Sequence, residues 1–175
     1  MKLSVNILTY KGEFLDKAIA SVRPYADEVI VKDTAAIQHL GKAWTNSPLD
    51  IELTRLLNEM KDESKGGWIL KVDDDEIFTT ELMEEIMKIV RSDDDTPIYA
   101  IPFRHVGTSS KKRYIKRLFR NIEDVSWNGN YGWETLAYQG KRISSNKCPK
   151  LNNFFYHLGG LRKEYTRKHD YSTLQ

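Results

Sequence analysis

The chain has 175 residues, of which 40% are hydrophobic and 30% charged, with a formal net charge of +2. That length and balance predict one soluble globular domain with apolar mass enough for its own core, and no stretch reaches the roughly 20 apolar residues of a membrane span. The single cysteine, Cys148, excludes an intramolecular disulfide and a cysteine-cluster zinc site, so a reducing, cytoplasmic setting is expected.

In chain order, Leu3 to Thr9 alternates apolar and polar residues and reads as a strand ending at Tyr10-Lys11-Gly12. Its apolar run is broken by Ser4 and Asn6 and is not expected to be a signal sequence. Phe14, Leu15, Ala18, Ile19 and Val22 then recur at helical spacing, and Pro24 stops the helix. Glu28 to Asp33 is a second strand, so the chain opens as a βαβ unit with a parallel pair and a right-handed crossover. Residues 34 to 49 are ambiguous, with Gly41, Asn46, Ser47 and Pro48 favouring a loop. A helix from about Leu49 to Lys61 presents Leu53, Leu57 and Met60, and Ser64-Lys65-Gly66-Gly67 turns the chain into the strand Trp68 to Val72. A helix around Glu81 to Arg91 starts from Thr79 or Thr80, and strands follow at Ile98 to Arg104 and Tyr114 to Arg120. The predicted fold class is α/β, a mixed, mostly parallel sheet flanked by helices. Asp124 to Tyr138, with Trp127, Gly129, Tyr131, Gly132 and Trp133, reads as a shaped loop region or as aromatics packed over the sheet.

The strand Trp68 to Val72 ends in four consecutive acids, Asp73, Asp74, Asp75 and Glu76. Open α/β sheets bind ligands outside the carboxyl ends of their strands, which is where these carboxylates fall. Two readings stay open: acids that repel one another until they share a divalent cation, or a solvated turn capping the next helix. The acidic stretch 73 to 95 also contrasts with the basic stretch 111 to 120, which suits a phosphorylated ligand or merely makes two solvated faces. Arg117 and Arg120 are either a phosphate clamp or part of a solvated strand edge. His157 follows Phe154-Phe155-Tyr156, an apolar run that would bury its neighbours, whereas His39, His105 and His169 carry no signal. A nucleic-acid surface on Lys111 to Arg120 is disfavoured by the small net charge and the acidic segment, so no nucleic-acid partner is expected.

Leu3 to Tyr10, Val31-Lys32-Asp33, Thr54-Arg55, Trp68 to Glu76, Arg117 to Arg120, Trp127-Asn128-Gly129, Trp133-Glu134 and Tyr156 to Gly159 together resemble, in that order, family 2 glycosyltransferases. The likeness is greatest to the lipopolysaccharide-core β-1,4-glucosyltransferase type and runs from Leu3 to about Gly160. It implies a GT-A nucleotide-diphospho-sugar transferase fold, one domain over 1–175 with a nucleotide-binding half to about residue 76, and inverting transfer of a sugar, glucose from UDP-glucose. Thr9 and Tyr10 would hold the nucleoside, Asp33 the base, and Arg55 would lie beside the nucleotide. Asp73 and Asp75 match the Asp-x-Asp pair. Asp75 would then ligate Mn²⁺ or Mg²⁺, with Asp73 on the ribose or a metal-bound water. Asp74, Arg117 and Trp133 would join the nucleotide-sugar contacts, and His157 would approach the metal or the diphosphate. Glu134 stands where the family has the acid of its His-Glu pair and is expected to be the general base, with Trp133 in the place of the histidine. The acceptor would be a glycan or lipid-linked hydroxyl, with at most peripheral membrane contact through the basic segments. Two departures stand out: Arg55 is followed by Leu56 rather than by the family's pattern, and many relatives continue beyond the equivalent of residue 175. The alternative is a GT-A-like module that binds a nucleotide sugar or metal without turnover and gives Glu134 no role.

Overall fold

The alternating and periodic segments fold as their patterns predict. A computed structural model describes residues 1–41, 46–92, 94–106, 113–128 and 135–161. The opening unit is β1 (Leu3–Thr9), α1 (Leu15–Val22) and β2 (Glu28–Asp33), followed by a short 3₁₀ helix at Ala35–Leu40 where the sequence favours a loop. Next come α2 (Pro48–Glu63), β3 (Trp68–Asp73), β4 (Glu76–Phe78), α3 (Thr80–Arg91), β5 (Ile98–His105) and β6 (Arg113–Arg120). The chain continues through β7 (Val125–Trp127), β8 (Leu136–Tyr138), β9 (Lys141–Arg142) and β10 (Phe155–His157). Both long helices start at side-chain caps that satisfy backbone N–H groups left without helical partners. Ser47 accepts from the Asp50 N–H ahead of Pro48, and Thr79 accepts from the Leu82 N–H.

The main sheet has seven strands in the order β2-β1-β3-β6-β5-β10-β4. Strands β2, β1 and β3 are parallel, β6 runs against both β3 and β5, β10 is parallel to β5, and β4 runs against β10. Five strands therefore share one direction and two oppose it. Strand β1 is buried along its whole length because both faces of the sheet are covered. On one face Leu3, Val5, Trp68, Leu70 and Val72 pack against Val22 of α1 and Leu82, Met83 and Ile86 of α3. On the other, Ile69 and Phe119 pack with Leu53, Leu57 and Met60 of α2 and with Trp127 and Leu136. Burying each such Leu or Phe stabilises the fold by about 1.5–3 kcal/mol. Strands β7, β8 and β9 form a separate three-stranded sheet. Trp127 meets Phe119 edge-on, centroids 5.5 Å apart, so this tryptophan of the aromatic segment is core packing. Gly66 is needed where the turn into β3 crosses β1, since a Cβ there would lie 2.6 Å from the Ser4 backbone nitrogen.

Two sequence expectations are corrected. Strand β6 is an interior strand between β3 and β5, so its basic residues do not line a solvated edge. Of Phe154-Phe155-Tyr156, only Phe155 is buried, and Tyr156 is 40% exposed because β10 is too short to lie between two covered faces. No helix among the described residues is long and apolar enough to cross a membrane.

Candidate functional site

Four strands, β1, β3, β5 and β10, run in the same direction, and their carboxyl ends deliver Thr9, Asp73, His105 and His157 to the wall of one cavity of about 550 Å³. This is the crevice in which open α/β sheets hold ligands. The register supports it, with Leu8 of β1 opposite Asp73 of β3 and His105 of β5 opposite His157 of β10.

The four acids after Val72 are held differently, although Asp73 and Glu76 share Arg117. Asp73 accepts from the Lys71 ammonium at 2.5 Å and from Arg117 Nη2 at 2.6 Å. Asp74 Oδ2 accepts from the Thr9 hydroxyl at 2.9 Å and from the Tyr10 N–H at 3.1 Å, pinning the chain that leaves β1. Glu76 accepts from Arg117 Nη2 at 2.7 Å with one oxygen and from the Asp73 N–H at 2.9 Å with the other. Asp75 turns to the cavity, its Oδ1 3.7 Å from His157 Nε2. The protein's own donors meet Asp73, Asp74 and Glu76, although the charge of Asp73 still acts on the Glu76 carboxyl.

Arg117 reaches two acids because of a local irregularity. The β5–β6 register passes from Tyr99↔Leu118 to Ala100↔Lys116, which leaves Arg117 as the extra residue of a bulge. A bulge re-aims the side chain it carries, and here the guanidinium is driven inward, 2% exposed, onto Asp73 and Glu76. Lys71, wholly buried on β3, completes a cluster of two cations and two carboxylates. Burial opposes ionisation of Asp73, but Lys71 and Arg117 hold its carboxyl well below the usual carboxylate range. Burial has the upper hand at Glu76: against the pull of Arg117, and helped by the charge of Asp73, it pushes the carboxyl up to about 8.

On the opposite wall, His157 Nδ1 lies 2.9 Å from His105 Nδ1, and the two rings meet edge-on with centroids 4.6 Å apart. Burial, with His157 and Arg113 facing it, lowers the His105 pKa from its ordinary value. The chain leaving β10 returns over the acids, with the Leu158 N–H donating to the Asp75 carbonyl at 2.7 Å. At Gly159 a Cβ would lie 2.5 Å from His157 Cε1 and 3.0 Å from Asp75 Oδ2, so only glycine lets His157 and Asp75 approach.

Of the residues expected from sequence, Thr9, Tyr10, Asp73, Asp74, Asp75, Arg117 and His157 share this cavity. Asp33 is exposed at the end of β2, where its Oδ1 accepts from the Ala35 N–H at 2.8 Å, and it is not part of the cavity lining. Arg55 stands on the solvent face of α2, 52% exposed and paired with Glu52 and Glu59, also outside the lining. Trp133 and Glu134 lie outside the described residues. Sequence reading gives His105 no signal and passes over Gln38, and both line the cavity. The clue to His105 was its place at the carboxyl end of a predicted strand, one residue past its expected end.

No protein-family model matches the chain, and no curated protein matches it by sequence. Solved structures match it in shape. Staphylococcus aureus TarS 1-349 aligns over 91% of this chain and 61% of its own, at 13% identity and a TM-score of 0.56. The same protein in complex with UDP-GlcNAc aligns over 90% of this chain and 58% of its own, at 13% identity and a TM-score of 0.54. Its complex with UDP aligns over 90% and 60%, at 14% identity and the same TM-score. The chain thus spans about three fifths of these structures. At that identity the likeness is one of fold, and the fold is of the GT-A type.

Proposed function

We propose that the chain is a metal-dependent inverting glycosyltransferase that moves a sugar from a uridine diphosphate donor to a hydroxyl of a glycan or lipid-linked acceptor. The observation that carries this reading is the convergence of four strand ends on one cavity of a GT-A fold, with Asp75 and His157 facing each other 3.7 Å apart. The complexes of the structural neighbour with UDP-GlcNAc and UDP support a uridine diphosphate donor. The resemblance in sequence favours glucose, so UDP-glucose and UDP-GlcNAc are the first donors to test.

The donor set fits a divalent cation held only in part by protein. Asp75 supplies a hard oxygen suited to Mn²⁺ or Mg²⁺, and His157 an imidazole nitrogen that favours Mn²⁺ over Mg²⁺. Among the described residues no group of three or more His, Cys, Asp or Glu side chains could hold a metal, so diphosphate and water oxygens would complete the shell. A bound cation would neutralise the departing diphosphate. The chain's own residues supply the rest. Asp74 holds Thr9 and the Tyr10 backbone at the nucleoside end, and the Lys71–Arg117 cluster keeps Asp73 ionised and fixed, leaving Asp75 to face the ligand. Glu134 is assigned the removal of the acceptor's proton.

Titration calorimetry with UDP tests the first part: binding in Mn²⁺ should weaken at least tenfold in chelator, and equal affinities would remove the metal. Glu134→Gln tests the second. Donor binding should persist while turnover, read as slow donor hydrolysis if no acceptor is known, falls by roughly 10²- to 10⁴-fold. Unchanged turnover would move the base elsewhere, and no turnover in the parent chain with any donor would favour a binding module.

A further inference from the structure

His105 belongs to neither the acid cluster nor the residues read as cation ligands, yet it makes the closest side-chain contact of His157. Its Nδ1 lies 2.9 Å from His157 Nδ1, a hydrogen-bond distance. Main-chain pairing sets this contact, since the two residues are register partners in parallel strands and the Val106 N–H donates to the His157 carbonyl at 3.0 Å. Phe103 backs the His105 ring edge-on at 5.1 Å. The His157 ring is therefore held at Nδ1 by His105 and bounded at Cε1 by Gly159, where even a methyl group has no room.

Two nitrogens at 2.9 Å share one hydrogen: two N–H groups would collide and two lone pairs would repel. With both rings neutral, either His157 donates and its Nε2 is bare, or His105 donates and His157 carries its hydrogen on Nε2. In the second case that hydrogen points toward Asp75 Oδ1, 3.7 Å away and beyond hydrogen-bond distance, and would have to leave before a cation could bind there. In the first case the bare Nε2 faces Asp75 and the cavity, which is the form a cation requires.

We propose that His105 is the positioning residue for His157, accepting its Nδ1–H so that the Nε2 lone pair stays turned toward Asp75. The proposal rests on the reading of Asp75 and His157 as cation ligands, and its test separates the two. Long-range ¹H–¹⁵N NMR of the full chain, with both rings neutral and no metal present, should find His157 as the Nδ1–H tautomer. The Nε2–H tautomer would overturn the proposal. His105→Asn keeps an acceptor near the Nδ1 position, whereas His105→Phe keeps the ring and removes the acceptor. Mn²⁺ binding in the presence of UDP, followed by electron paramagnetic resonance, should stay within about threefold of the parent in His105→Asn. In His105→Phe it should weaken by about 10- to 100-fold. Equal affinity in the Phe variant would reduce His105 to packing and sink the idea. A parent chain that binds no Mn²⁺ with UDP, yet shows the Nδ1–H tautomer, would instead overturn the proposed function and leave the positioning role standing.

Discussion

Asp73 and Asp75 are two residues apart at the same strand end, and the structure treats them oppositely. Asp73 is enclosed by Lys71 and Arg117 and shares the guanidinium with Glu76. Asp75 faces the cavity wall that carries His157 and His105. The first region is closed by its own donors: Lys71 and Arg117 meet Asp73, and Arg117 also meets Glu76, which holds its proton up to about pH 8, although Asp73 itself lines the cavity. The second has one carboxylate opposite an imidazole, an arrangement that a cation and an anionic ligand would complete. Identical side-chain chemistry thus serves architecture in one case and, in the proposed function, binding in the other, and the partners decide which.

The largest expected effect breaks the closed region. Arg117→Met removes the buried donor shared by Asp73 and Glu76 and leaves both carboxyl groups short of a partner, so it should cost about 3–5 kcal/mol in urea unfolding. A loss below about 1 kcal/mol would mean that Lys71 and solvent suffice for both acids.

The next effect is a pH dependence of the same cluster. Glu76 has its carboxyl raised from 4.5 to about 8, so the folded chain retains a proton that the unfolded chain releases. Its stabilising contribution is full below pH 4.5 and is lost as the pH rises through 8. Asp73, lowered from 3.8, works in reverse: its contribution is full above pH 3.8 and is lost as the pH falls further. Between pH 5 and 8 the parent chain should therefore lose stability relative to Glu76→Gln, by on the order of a few kcal/mol. Parallel stability curves for the two proteins would show Glu76 ionised throughout that range.

The smallest effect sharpens the open region. Asp75→Asn should weaken Mn²⁺-dependent UDP binding by about 10- to 100-fold, while the melting temperature without ligand changes by no more than about 1 kcal/mol would produce. A large loss of melting temperature would make Asp75 a structural residue like Asp73, and the contrast would fail.

Much of the fold was legible because its signals are local. Strand β1 and strand β2 have the bounds expected from alternation and apolar runs, and α3 starts at Thr79, one of the two caps that its sequence offers. The short 3₁₀ helix at Ala35–Leu40 and the three-residue strands β4 and β10 were not legible, since three residues carry no period and β4 exists only by pairing with β10.

At the site, the sequence by itself determined that acids gather at the carboxyl end of β3 and that Thr9 and Tyr10 come at the end of β1, because apolar runs and alternation mark both strands. That the two strands are neighbours was decided by the sheet pairing. Which partner each acid takes was decided only in three dimensions. The bulge at Arg117 pairs it with Asp73 and Glu76, and Gly159 leaves room for His157 to approach Asp75 across 82 positions. Asp33 and Arg55 make the same point from the other side: both match a motif, but β2 ends outside the cavity lining and α2 turns Arg55 to solvent. A motif names residue types in order along the chain, whereas the direction of each side chain is set by the strand pairing and helix packing around it.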